Sequence, residues 1–156
     1  MITRTHYGLC ASGADYGRCH RFLKAEGMSQ AKSLTFPTVF ALREGEVVGL
    51  IGSTMTAWGL VADPLHVREA IRNPAFMMLR LIDAYERILR ETGLTEYKVA
   101  MLKAKPMWRR IPEELRGLTP IWETPTHWWY RVVLQASMQQ QAAQAQLAAI
   151  TQQEVI

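Results

Sequence analysis

The sequence predicts an α/β (α+β) domain in which a mixed, mostly antiparallel central sheet is flanked by helices. Three observations carry this. In FALREGEVVGLIG, two β-rich runs flank the short turn Glu44-Gly45-Glu46, the pattern of a hairpin. Between Asn73 and Gly93, apolar residues recur at helical spacing. The closing run HWWYRVVL alternates, with Trp128, Tyr130 and Val132 on one face and Trp129, Arg131 and Val133 on the other.

The remaining elements follow in chain order. Ile2 to Tyr7 alternates weakly and predicts an edge strand. Asp15 opens a helix that carries Cys19, Phe22 and Leu23 on one face, and Gly27 closes it as a left-handed cap. TVFALR, after Pro37, and VVGLIGSTMT form the hairpin, and a third run, Trp58 to Ala62, ends at Asp63-Pro64. HVREAIR then leads into the long helix, with Asn73 as its N-cap and Pro74 at its first position. Met78, Ile82, Tyr85 and Leu89 form its buried stripe. Arg80, Asp83, Arg87 and Arg90 lie opposite, with Asp83–Arg87 and Glu86–Arg90 as i, i+4 pairs. EYKVAMLK reads as an interior strand. Pro106 and Pro112 bracket a Trp-containing turn, EELRG a brief helix, and Leu118 to Glu123 and His127 to Leu134 the last two strands.

The chain of 156 residues is the size of one domain, with 49% apolar and 21% charged residues, a globular composition. The 22 residues from Gln135 differ: they are Ala- and Gln-rich, with Glu154 as their one charged side chain. The expected organisation is therefore a folded domain over 1–134 and a helical tail over 135–156. A short helix with a thin apolar stripe is marginal alone, so the tail is expected to dock on other subunits of an assembly through Met138, Leu147 and Ile150. The net charge of +4 is modest for a protein that neutralises phosphates. No run is long and apolar enough to span a membrane, and no secretory signal is evident, which predicts a cytoplasmic location. His6, Cys10, Cys19 and His20 match no common zinc spacing, so no metal is expected and the cysteines read as buried thiols.

The element order is strand, helix, three strands, helix, strand, short helix, two strands. With ADYGRCHRFLKAEG, FALREGEVVGLIG, the block from LVADP through FMMLRLIDAYERILRETGL, and WWYRVVL, it resembles the GNAT superfamily of N-acetyltransferases over residues 1–134. The resemblance implies a Gly-rich loop before the long helix, whose backbone N–H groups bind the pyrophosphate of acetyl-CoA. Counted back from Gly93, that pattern falls on Asn73, Phe76 and Met78, with large side chains where small ones are expected, and Pro74 removes one N–H. An alternative placement at Arg68 or Arg72 uses Ala70 or Ala75. No glycine stands between Gly59 and Gly93, so the loop is degenerate in either register.

The resemblance also implies a Tyr acid in the short helix after the fifth strand. KAKPMWRRIPEELRG offers Trp108 instead, and an indole is a donor only. Glu44, Glu46, His66 and His127 are the titratable candidates for a base, against the simpler reading of turn and strand-end residues. Trp108, Arg109, Arg110 and Trp128 are candidate partner-binding residues. The set Trp108, Trp122, Trp128 and Trp129 also raises nucleic acid as a weaker alternative partner.

Two readings follow. In the first, the chain is a GNAT-fold protein with no catalytic residues and no cofactor, serving assembly and resembling the virion-associated GNAT-like proteins of short-tailed bacteriophages, with a virion location. In the alternative, it is an acetyl-CoA-dependent N-acetyltransferase.

Overall fold

The computed structural model describes residues 4–28, 34–68 and 70–134, together with Gln146 and Ala149, both helical and exposed. Met138, Leu147 and Ile150 lie outside the described residues. The elements are β1 (Thr5–Leu9), α1 (Gly13–Ala25), β2 (Thr35–Arg43), β3 (Glu46–Thr56), β4 (Gly59–Val67), α2 (Pro74–Glu91), β5 (Glu96–Leu102), β6 (Trp122–Glu123) and β7 (His127–Val133). A 3₁₀ turn, Pro106–Arg109, and a π-helical turn, Ile111–Leu115, lie between β5 and β6. The sheet order is β1-β2-β3-β4-β5-β7-β6, with β1 at an edge. Every neighbouring pair is antiparallel except β4–β5, the pair joined by the α2 crossover.

Alternation along the strands divides the core in two. Val39, Ala41, Val48, Ile51, Tyr97 and Val99 meet Met77, Leu81, Tyr85 and Leu89 of α2 on one face. Phe40, Val47 and Leu50 meet Cys19, Phe22 and Leu23 of α1 on the other. The predicted stripe Met78, Ile82, Tyr85 and Leu89 is buried as expected. Both helices end in the predicted left-handed glycine. Met28 N–H donates to Leu23 O and Gly27 N–H to Lys24 O, and Leu94 and Gly93 repeat the arrangement on Leu89 and Arg90.

Several expectations are corrected. Ser12, not Asp15, begins α1: its Oγ accepts from Asp15 N–H at 3.3 Å, while the Asp15 carboxylate accepts from Ala11 N–H at 3.0 Å. Asn73 makes no side-chain cap. Its φ of 56° and ψ of 58° are left-handed, whereas a capping residue needs an extended backbone to reach the first-turn N–H groups. Glu86, expected as the i, i+4 partner of Arg90, is 2% exposed. It accepts from Tyr97 Oη at 2.6 Å and from Arg116 Nη1 at 2.5 Å, with Arg90 at 3.7 Å. Leu118 to Ile121 is not strand, so β6 is only Trp122–Glu123. The EELRG helix is the π-helical turn Ile111–Leu115.

The largest correction concerns β4, which runs on through Asp63-Pro64 to Val67. Ser53 faces Ala62 and Ile51 faces Leu65, so β4 carries one extra residue there, a bulge. Proline, lacking an N–H, is tolerated at a bulge because the ladder is already broken there. Gly52, opposite, is needed for close approach. A Cβ on it would sit 2.8 Å from Leu34 Cδ2 and 2.9 Å from Pro64 Cδ.

Gly52→Ala is expected to cost about 1–3 kcal/mol, read as a lower denaturant midpoint. Acid should also unfold the protein progressively. The Arg109 hydrogen bond holds the Glu113 carboxyl below its ordinary value of 4.5, as Arg131 does for Glu96. These groups stabilise the fold above pH 4.5 and lose that contribution as pH falls through the lowered values. Glu113→Gln should flatten the dependence of Tm on pH in this range.

Candidate functional site

β4 and β5 pair only at Val61–Lys98 and Ala62–Val99. Beyond these positions the bulge carries β4 away, and the two strands diverge. Residues 65–67 of β4 pair with β3 and residues 100–102 of β5 pair with β7, but the two stretches do not pair with each other. A cavity of about 320 Å³ occupies the gap. Leu65 and Met101, from the face packed on α2, line it, as do His66 and Ala100 from the opposite face. Met78 of α2 and Met28, just past α1, also line it, so the cleft passes through the sheet.

Trp108 walls this cleft and also a second cavity of about 250 Å³ at the start of α2, lined by Pro74, Ala75, Met107 and Leu115 among others. With 8% exposure, Trp108 belongs to the core and is not an exposed anchor. Two ion-paired contacts hold the segment that carries it. The Arg109 guanidinium stacks over Trp128 at 4.0 Å and donates to both oxygens of Glu113, Nη2 to Oε1 at 2.9 Å. Glu113 Oε2 also accepts from Tyr130 Oη at 2.8 Å. Burial, first, and this hydrogen bond push the Tyr130 hydroxyl up to about 12. Arg116 ties the same segment to Glu86 of α2. Arg109 and Trp128 thus act within the fold, while Arg110 is exposed and pairs with Glu114 at 3.0 Å.

The side of the cleft facing α1 carries the titratable groups. His66 Nε2 lies 3.2 Å from Glu26 Oε1 at the end of α1, and its ring is 5.7 Å from Phe22. Asp63, Lys105 and His127 also line the cavity, and His127 Nδ1 is 2.7 Å from Thr126 Oγ1. Trp129 completes this wall. Trp122 stacks on Trp129 with centroids 5.9 Å apart, and Trp58 meets Trp122 edge-on at 6.0 Å. The four tryptophans grouped from the sequence are therefore divided. Trp108 and Trp128 lie on the α2 side, and Trp122 and Trp129 on the other. Glu44 and Glu46 remain on the hairpin turn and do not line the cleft.

The β4–α2 connection shows how the helix start is built. Arg68 extends β4, its N–H donating to Val48 O at 2.9 Å. Its guanidinium lies over Phe22 and 3.8 Å from both Glu26 and Glu46, away from the helix start. Phe76 is exposed and stacked under Arg80, whereas Met78 points into the core and the cleft. Pro74 has no N–H, which leaves Ala75 and Phe76 as first-turn donors without an acceptor inside the helix. Cys10 and Cys19 are buried thiols with sulfurs 3.5 Å apart, and burial raises the pKa of both.

The fold matches solved structures. The GNAT-family N-acetyltransferase YhbS from Escherichia coli, solved with CoA, matches with a TM-score of 0.59 and 14% identity, over 86% of this chain and 84% of that one. The fold is that of the GNAT N-acetyltransferases. The ribosomal-protein-S18-alanine N-acetyltransferase of Escherichia coli matches with a TM-score of 0.63 and 6% identity, over 86% and 96% of the two chains. The diaminobutyrate acetyltransferase of Paenibacillus lautus, solved with its substrate and coenzyme A, matches with a TM-score of 0.60 and 13% identity, over 85% and 96%. No protein-family model matches the chain, and no curated protein sequence matches it. These GNAT-fold matches are enzymes, and the resemblance to virion-associated phage proteins finds no support among them. No helix among the described residues is long and apolar enough to cross a membrane.

The two ends of the cleft differ in what their backbone offers. The start of α2 offers the N–H groups of Ala75 and Phe76 and no glycine. Ala100→Trp should fill the cleft and abolish ligand binding, with Tm within a few degrees of the parent by thermal melting.

Proposed function

We propose that the β4–β5 cleft binds an acyl thioester and an amine, and that the protein is a GNAT-type N-acyltransferase. The cleft passing through the sheet is the observation that carries this reading, because it lets the two reactants approach from opposite faces. A thioester supplies an activated acyl group. The chain supplies the rest: β4 and β5 align the arm where they part, Trp108 and Met78 shield it from water, and His66 takes the proton from the attacking amine as the carbon–nitrogen bond forms and the carbon–sulfur bond breaks, the released thiolate taking a proton from solvent. Glu26, 3.2 Å away, orients the His66 ring. The neighbours named for alanine and diaminobutyrate acetylation support an amine acceptor.

The poor diphosphate fit has a measurable consequence. In calorimetric titration, acetyl-CoA and S-acetyl-pantetheine should bind within about threefold of each other, because a cradle with two donors adds little. In an acetyl-transfer assay with an amine mixture, His66→Ala should lower kcat about 10²–10⁴-fold and leave thioester affinity unchanged. Binding of neither thioester would overturn the proposal.

That second outcome would favour a non-catalytic assembly role with no bound cofactor, with residues 135–156 as docking segment. The Gly-free connection through Asn73 and Pro74 supports it, as does Trp108 standing where the resemblance implies a Tyr acid.

A further inference from the structure

The face of the sheet opposite α2 is packed over only part of its width. The core beneath α1 draws its strand residues from β2 and β3, and none from β5, β6 or β7. On those three strands the register sets Lys98 of β5 beside Arg131 of β7, and Trp129 of β7 beside Trp122 of β6. All four lie on the side away from Val99 and Tyr130, which belong to the α2 core. Trp58, in the β3–β4 turn, meets Trp122 edge-on and closes the group. Trp58 is 72% exposed and Trp122 51%. Neighbouring indoles left this open to water mark a contact surface.

The rings are held in place. Trp122 stacks on Trp129 with 24° between their planes, and Lys98 Nζ donates to Trp58 O at 2.7 Å, which fixes the turn. Cations edge the platform. Lys98 and Arg131 stand against one acid on this part of the face, Glu96, which Arg131 Nη2 meets at 3.3 Å. All eighteen Lys and Arg of the chain and thirteen of its fourteen acids lie in residues 1–134, an excess of five positive charges. An apolar protein surface would leave these cations without counter-charge, and a duplex hides the faces of its bases. A single strand offers unstacked bases to the indoles and phosphates to the cations.

We propose that the surface formed by Trp58, Trp122 and Trp129 binds single-stranded nucleic acid. Bases stack on the exposed rings of Trp58 and Trp122, and the backbone runs along Lys98 and Arg131. Stacking carries the affinity, and charge adds to it through one or two phosphates. The site is independent of the proposed acyl transfer, because it uses neither His66 nor a thioester.

The test uses the full chain and labelled single strands of about 12 nucleotides, followed by fluorescence anisotropy at low salt. Thymidine and uridine homopolymers separate DNA from RNA as the source of the strand, and a duplex of equal length is the comparison. The better single strand should bind about 10-fold tighter than the duplex or more. Its log Kd should rise with log salt at a slope of about 0.7–1.4, as one or two phosphate contacts on a single strand require. Trp58→Ala and Trp122→Ala should each weaken single-strand binding about 5- to 150-fold, and Trp58→Tyr should restore most of the loss at its position. Trp58→Ala should melt close to the parent, since the indole it removes is exposed and Lys98 bonds to the backbone that it keeps. If Trp122→Ala fails to fold, Trp58→Ala alone decides. No binding at low salt, equal affinity for duplex and single strand, or full affinity in Trp58→Ala would overturn the proposal. So would a Trp58→Ala effect confined to self-association in sedimentation, which would make this face a contact between copies of the chain.

Discussion

One extra residue in β4 shapes the whole candidate site. The bulge at Asp63-Pro64 breaks the ladder to β3 for one step and turns the rest of β4 away from β5. Without it, a parallel pair buried in mid-sheet would continue to its end and close the gap. Gly52 makes the bulge possible by letting the Pro64 ring and Leu34 approach the β3 backbone. A local steric condition is thereby converted into a cleft that crosses the sheet.

The cleft needs rigid walls, and buried charge supplies them at a distance from the chemistry. Glu86 sits deep in the face of α2, and a carboxylate there is tolerable only with Tyr97 and Arg116 as partners. Burial, joined by the Glu86 charge and hydrogen bond, raises the Tyr97 hydroxyl well above its ordinary value, so it remains a donor. Arg116 in turn anchors the end of the segment after β5, and the Arg109–Glu113–Tyr130 cluster anchors its middle. Trp108 is held between these anchors, where it separates the through-sheet cleft from the cavity at the start of α2.

Much of this frame is legible in the residues. The stripe of α2, the alternation of β7 and the Gly-turned hairpin each answer to a period or a turn that side-chain chemistry dictates. What the residues conceal has physical causes. Glu86 reads only as a partner of Arg90, because Tyr97 and Arg116, which bury it, are distant in sequence. Asp63-Pro64 reads as the end of a strand because proline usually ends one, and only the pairing register shows the bulge. Asn73 reads as a cap because cap propensity is local, whereas its left-handed backbone is set by the turn from β4 into α2. In the site, His66 is visible only as an isolated histidine until α1 brings Glu26 beside it.

The candidate site depends on the gap between β4 and β5. Amide hydrogen exchange, followed residue by residue with and without S-acetyl-pantetheine, tests it most directly. Protection should rise at the amides of residues 65–67 and 100–102 that face the gap, with little change at Ala75 and Phe76. Unchanged exchange along both strand edges at saturating thioester would contradict it.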